Sequence, residues 1–316
     1  MIAEGEIADA KRRRRKTAKV FGIIVAVVIG LGLVMLPRVL TPPPEGPFQQ
    51  SLNVAGLLAP AQEEGWRFAR LEGRPGVLLI EFPSLQAQGA ALNRIATLVE
   101  KAGAPRDRVL TDLEMTEFMR DTGAAAATFY YGHDYRMADM ARFYTLADAG
   151  GVELSAAELR VRDGLTLEGV LAQDGEMWTA ADEATALVTY ARAQADDPAT
   201  PHVDETLDAA VRETILRHEL SHGVYFTDPE YQAHAQSFWN EKLTEEERQL
   251  WRAFLARRDY DSANEEMMLN ETQAFLMHTP DPRVFSAAAL GVTEEQLGSM
   301  RARFRDGAPA AVVAER

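Results

Sequence analysis

HELSHG, residues 218 to 223, places two histidines four residues apart, with a glutamate directly after the first. On an α-helix, side chains four residues apart lie on the same face, so the imidazoles of His218 and His222 can reach one metal ion. The carboxylate of Glu219 then lies beside that ion. The stretch therefore predicts a helix with a metal-binding face.

The residues before this stretch continue the same helical face. Leu207, Val211 and Ile215 recur every four residues, and Asp204 is suited to the N-cap of the helix. Two histidines on a buried face can also be core residues that hydrogen-bond to carbonyl groups. The paired spacing, with a glutamate between the histidines, favours the metal site.

The pattern His-Glu-x-x-His resembles the signature of the zincin metallopeptidases. The resemblance implies that His218 and His222 bind Zn²⁺ and that Glu219 acts as general base toward a water molecule. It also implies an α+β fold in which a small sheet lies over the motif helix, with an edge strand that binds an extended peptide. It covers about 60 residues, from His218 to the region of Glu271.

A catalytic zinc site of this kind needs a third protein ligand, and Glu271 is the first candidate. On a predicted helix that begins at Ser262, Glu271 shares a face with apolar residues, where a carboxylate is costly unless it is paired or binds a metal. The pattern Asn270-Glu271-x-x-Ala274 resembles the downstream glutamate motif of the gluzincin branch. Phe275 stands where many gluzincins have aspartate, so a carboxylate that would orient a histidine is missing or comes from elsewhere.

Three other acidic residues compete for the third position. Glu265 is predicted to take part in a helix cap. Glu266 shares a helix face with polar residues, which indicates that this face is exposed to solvent. Asp228 stands where the metzincin branch has its third ligand, but Tyr225 occupies the position at which metzincins need glycine. Asp228 before Pro229 is also typical of an N-cap.

A peptide hydrolase also needs a donor for the oxyanion that forms on the substrate. Tyr225, Tyr231 and His278 are candidates, and His278 is favoured because it follows Glu271 by two turns on the same face. The sequence thus predicts two sets of site residues. They are the zinc ligands His218, His222 and Glu271, and the catalytic groups Glu219, His278 and Tyr225.

The composition limits the kinds of site and of partner. The chain has no cysteine, so a metal must be held by histidine, aspartate or glutamate, and no disulfide framework is possible. The net charge is −15, although the first 20 residues carry seven basic and only three acidic side chains. The acidic remainder would be repelled by nucleic acid and by anionic lipid headgroups, and it favours neutral or cationic substrates.

The N-terminal segments predict a membrane anchor. Residues 1–19 form a basic tail, and the uncharged run from Val20 to Leu36, extended to residue 40, is long enough for a single transmembrane helix. The basic cluster predicts a cytoplasmic N-terminus and an exported body, periplasmic in a Gram-negative cell. The alternatives are a cleaved signal peptide, although no small-x-small site follows the run, and a nucleic-acid-binding or nuclear address. A proline-rich linker follows over residues 41–49.

The body of the protein is predicted to have two parts. Residues 50–200 form an α/β lobe, with strands at Gly76 to Phe82, Ala124 to Gly132 and Thr166 to Gln173. Helices are expected around Ala180 to Ala195 and after caps at Ser84, Thr111, Asp134 and Ser155. Residues 201–316 form a helical lobe that carries the motif, with further caps at Asp228, Thr244, Ser262 and Thr293. The predicted fold is α+β and mostly helical, with the site between the lobes.

These features predict a membrane-anchored, zinc-dependent metallopeptidase of the gluzincin type that acts on a peptide or protein. A zinc hydrolase for cell-wall peptides is one alternative. A non-catalytic, membrane-tethered binding or scaffold protein with a degenerate site is another.

Overall fold

The computed structural model describes residues 45–61, 64–200 and 203–309. The basic tail, the predicted anchor at residues 20–40 and the first part of the linker lie outside these residues. Within the described ranges, no helix is both long enough and apolar enough to cross a membrane.

A mixed five-stranded sheet, in the order β1-β2-β3-β7-β4, forms the centre of the fold. Its strands are β1 (Gln50–Leu52), β2 (Arg67–Leu71), β3 (Arg74–Phe82), β4 (Gly132–Arg136) and β7 (Ala186–Ala191). β1 runs parallel to β2 and β3 parallel to β7, whereas the β2–β3 and β4–β7 pairs are antiparallel. A separate hairpin consists of β5 (Leu171–Asp174) and β6 (Met177–Ala180). One edge of the central sheet is therefore β4.

Helices cover both faces of this sheet. The first five are α1 (Val54–Leu58), α2 (Leu85–Val99), α3 (Asp112–Thr122), α4 (Met137–Gly150) and α5 (Ala156–Leu167). They are followed by α6 (Ala209–Thr227), α7 (Pro229–Ser237), a π-helical turn (Phe238–Lys242), α8 (Glu245–Ala256), α9 (Glu265–His278), α10 (Ala287–Leu290) and α11 (Glu294–Arg305). About half of the described residues are helical, so the predicted α+β class is confirmed.

The continuous apolar run of β3 needs a helical layer on each side. Leu78 and Ile80 pack in the cluster that α2, α4 and α5 contribute to, whereas Val77 and Leu79 pack with Leu216 of α6. Successive side chains of a strand point to opposite faces, so both faces of β3 are buried.

Gly223 allows α6 to lie close to the sheet. A Cβ atom at this position would come within 2.8 Å of Val188 and 2.9 Å of Val77. The glycine at the end of HELSHG is thus required by the contact between helix and sheet.

Several element boundaries correct the sequence predictions. Residues 124–131, all described, form an irregular segment, and Asp134 lies within β4 rather than at a helix cap. The helix predicted around residues 180–195 is wrong, because this stretch contains β7. Its side chains are buried on both faces, which removes the alternation that marks a half-buried strand. Thr166 belongs to α5, and the strand predicted there begins only at Leu171.

The helix caps agree with the sequence predictions better than these element boundaries do. The caps at Ser84, Thr111, Ser155, Asp228, Thr244 and Thr293 are confirmed. Two are displaced, since α6 is capped by Asp208 instead of Asp204, and α9 by Asn264 instead of Ser262.

Candidate metal centre

α6 brings the two motif histidines together. The rings of His218 and His222 lie edge to face, with their centroids 4.8 Å apart, and both side chains are buried. The helix is fixed at its start by Asp208, whose carboxylate accepts hydrogen bonds from two backbone N–H groups of the first turn. The four-residue spacing thus produces the pair of imidazoles that the sequence predicts.

α9 packs against α6 and brings Glu271 to these histidines. Glu271 Oε2 lies 3.4 Å from His218 Nε2, and Glu271 Oε1 lies 3.7 Å from His222 Nε2. One donor atom from each of the three residues lies within 4.8 Å of the other two. Ligand atoms around tetrahedral zinc, at bonds of ~2.0–2.2 Å, are separated by about 3.3–3.6 Å. The three side chains are therefore close to the arrangement that one ion requires.

The competing carboxylates lie elsewhere. Glu265 and Glu266 form partly exposed ion pairs with arginines. Asp228 caps α7, and its Oδ2 lies 3.0 Å from a guanidinium nitrogen of Arg74. Of the four candidates for the third ligand, the structure places only Glu271 with the histidines.

The unpartnered atoms of the cluster fit a bound cation. Among the described residues, both ring nitrogens of His222, Glu219 Oε2 and Glu271 Oε2 are buried without a hydrogen-bond partner. Leaving such a group unpaired costs roughly 1–3 kcal/mol, and more for a charged group. An ion held by His218, His222 and Glu271 would use these lone pairs, and imidazole and carboxylate are donors that zinc accepts.

Thr279, directly after α9, orients the ring of His218. Its hydroxyl donates a hydrogen bond of 3.0 Å to the Ala274 carbonyl, and its Oγ1 lies 2.8 Å from His218 Nδ1. Because the single hydroxyl proton goes to the carbonyl, Nδ1 must donate, which leaves a lone pair on Nε2. Burial lowers the pKa of His218 to about 4, so the ring is neutral at pH 7. No motif marks Thr279 in the sequence, because its contact with His218 arises only when α9 packs on α6.

The cluster opens into a cavity of about 600 Å³. This volume is within the range of small-ligand pockets. Its aromatic walls are Phe129, Tyr130, Tyr131, Tyr260 and Phe275. The carboxylates that line it are Glu100, Asp134, Asp204, Glu219, Asp259 and Glu271.

β4 places two further residues beside Glu219. A Cβ atom at Gly132 would collide with the Glu219 carboxylate, so glycine is needed for this approach. Asp134, on the same face of the strand, has its Oδ2 3.8 Å from His222 Nε2. Burial raises the pKa of Glu219 well above its usual range, and the charges of Asp134 and Glu271 raise it further. No motif marks Asp134 in the sequence, because its approach to His222 depends on the pairing of β4 with β7.

The predicted oxyanion donors are not brought to the cavity. Tyr225 is buried in the apolar cluster of the C-terminal helices. Tyr231 donates to Gln273 Oε1 at 2.5 Å and lies 3.2 Å from His278 Nε2. None of the three candidates, Tyr225, Tyr231 and His278, is among the residues that line the cavity. Seven residues of helix advance about 10 Å along the axis, which places His278 at the end of α9, two turns beyond Glu271.

Comparisons with protein-family models, with curated proteins and with solved structures find no match for this chain. The resemblance to zincins therefore rests on residues 218–223 and 270–274.

Proposed function

We propose that the protein is a zinc-dependent metallopeptidase of the gluzincin type, which hydrolyses peptide bonds in a peptide or protein substrate. The observation that supports this best is the convergence of His218, His222 and Glu271 donor atoms beside Glu219 at one cavity. Two imidazoles from one helix and a carboxylate from another can hold the ion, and a further carboxylate beside them can act as base.

A bound zinc ion would polarise the substrate carbonyl and lower the pKa of water. Glu219 would accept the proton of the attacking water at Oε2, the oxygen that has no hydrogen-bond partner in the described structure, and return it to the leaving amine. The phenols of Tyr130 and Tyr260 line the same cavity, and burial raises the pKa of both, so they remain protonated donors for the oxyanion.

The test is the metal content of the purified protein, measured with its activity on a library of quenched fluorescent peptides. We expect about one equivalent of zinc, lost in His222→Ala and in Glu271→Ala. Glu266→Ala is the matched control, because Glu266 pairs with Arg136 and should leave zinc in place. Glu219→Gln should also keep zinc, while hydrolysis falls ~100- to 10,000-fold because the amide cannot accept the proton.

Two results would contradict the proposal. A purified wild-type protein without bound metal would exclude the zinc site. A protein that holds zinc but hydrolyses none of the peptides would favour the binding or scaffold alternative.

We further propose that residues 20–40 anchor the chain in the inner membrane, with the catalytic domain in the periplasm. The basic cluster followed by an uncharged apolar run supports this topology. We expect the full-length protein to fractionate with membranes and residues 48–316 to stay soluble when expressed alone. Intact full-length protein found only in the soluble fraction after gentle lysis would refute the anchor.

A further inference from the structure

Asp134 lies at the metal centre, but the three-ligand site does not use it. Its Oδ2 lies 3.8 Å from His222 Nε2, and Glu271 Oε1 lies 3.7 Å from the same nitrogen. Donor atoms of Asp134, Glu219 and His222 form a second group within 4.8 Å of one another, which shares His222 with the group of His218, His222 and Glu271. Two carboxylates from different elements thus approach one imidazole nitrogen at nearly equal distances.

The register of β4 directs Asp134 into the site. Asp134 pairs with Val188 in the β4–β7 ladder, and alternation puts Gly132 and Asp134 on the side of α6. Tyr135 points to the other face, where it belongs to the core under α2 and α4. The missing side chain of Gly132 leaves room for Glu219 at the same place. A strand paired within a sheet therefore presents the Asp134 carboxylate from a rigid support.

The surroundings of Asp134 lack a permanent cation. In the part of the chain that the structure describes, its ion-pair contact is limited to the imidazole of His222. The Asp134 side chain is only 14% exposed, and carboxylates this close together repel one another unless a proton or a cation lies between them. The unpartnered nitrogens of His222 point to a metal ion as that cation.

We propose that Asp134 is a fourth protein ligand of the ion held by His218, His222 and Glu271, and that it leaves the ion when substrate binds. The inference rests on the proposed function. A catalytic zinc site keeps one position for water or substrate, whereas four protein ligands close it. Asp134 would thus close the resting site, and its displacement would be part of substrate binding.

The test measures the Zn²⁺ affinity of the full-length protein by competition with a chelator, and the visible spectrum of the Co²⁺-loaded protein as a report of coordination. Asp134→Asn should lower the affinity at least about 10-fold and change the Co²⁺ spectrum. Glu100→Gln is the matched control, because Glu100 lines the same cavity but belongs to neither group of donor atoms. It makes the same change of carboxyl to amide in the same cavity without removing a ligand, so its affinity and spectrum should stay near those of the wild type.

One further variant and two further measurements sharpen the test. Asp134→His supplies a donor without the negative charge, so it should recover affinity that Asp134→Asn loses. Thermal unfolding of the metal-free variants checks that they fold. Because the fourth position is open in Asp134→Asn, acetohydroxamate should bind its zinc form more tightly than the wild type, and this gain should be absent in Glu100→Gln.

The outcomes separate this inference from the proposed function. Equal losses of affinity in Asp134→Asn and Glu100→Gln would show that Asp134 acts through its charge alone. Unchanged affinity and spectrum in Asp134→Asn would show that it is not a ligand. Either result overturns the inference and leaves the three-ligand site intact. Failure of the wild type to bind metal, or retention of metal in His222→Ala, would instead refute the proposed site and the inference with it.

Discussion

At the scale of single residues, the hydroxyl of Thr279 decides which nitrogen of His218 is free for a metal. Thr279→Val removes the acceptor for His218 Nδ1 but keeps the shape of the side chain. Partners of this kind typically contribute 10–100-fold to metal affinity, so we expect a loss of about that size in a chelator competition. Thr279→Ser keeps the hydroxyl and should retain most of the affinity. Wild-type affinity in Thr279→Val would contradict the role assigned to this contact.

Local patterns account for the predicted site residues that the structure brings together. His218, Glu219 and His222 follow from the turn of a helix, and Glu271 from a carboxylate on an apolar helix face. Asp134 enters the site through a strand, and its position depends on pairing with β7, more than 50 residues further along the chain. Contacts of this kind depend on how whole elements pack, so a local pattern does not reveal them.

At the scale of elements, six of the caps could be read from the sequence, because each depends on about four neighbouring residues. β7 could not, because burial on both faces removes its alternation and its alanines suit a helix equally well. β7 is the strand that pairs with β4, so a helix over residues 180–195 would leave the strand that carries Asp134 without its partner.

The contact between α6 and the sheet depends on Gly223. Gly223→Ala places a Cβ atom against Val188 and Val77, and overpacking of this kind costs roughly 1–3 kcal/mol. Gly298 in α11 is the matched control, because a Cβ atom there meets nothing within 4 Å. Gly298→Ala should stabilise the protein by up to ~1 kcal/mol through helix propensity. Chemical denaturation of both variants measures the difference, and equal shifts of the same sign would contradict the packing argument.

At the scale of the whole molecule, acidic residues from four parts of the fold line one cavity. Glu100 directly follows α2, and Asp134, Glu219 and Glu271 lie on β4, α6 and α9. Burial raises the pKa of each carboxyl, and the charges of the others raise it further for Glu100, Asp134 and Glu219. A raised pKa in the folded state contributes stability below the unfolded pKa of ~4 and loses it as pH rises through the folded pKa. These groups therefore destabilise the metal-free protein toward neutral pH.

Zinc should offset this loss, because a divalent cation favours the ionised carboxylates that burial disfavours. We expect added zinc to raise the melting temperature more at pH 7.5 than at pH 5, where protons compete for the ligands. At a zinc concentration 100 times Kd, the stabilisation is about 2.7 kcal/mol. The pKa of His218 is lowered to about 4, so this ring is neutral in the folded protein at both pH values. Glu271→Gln should show little rise at either pH. An equal or larger rise at pH 5 in the wild type would mean that zinc does not bind among these carboxylates.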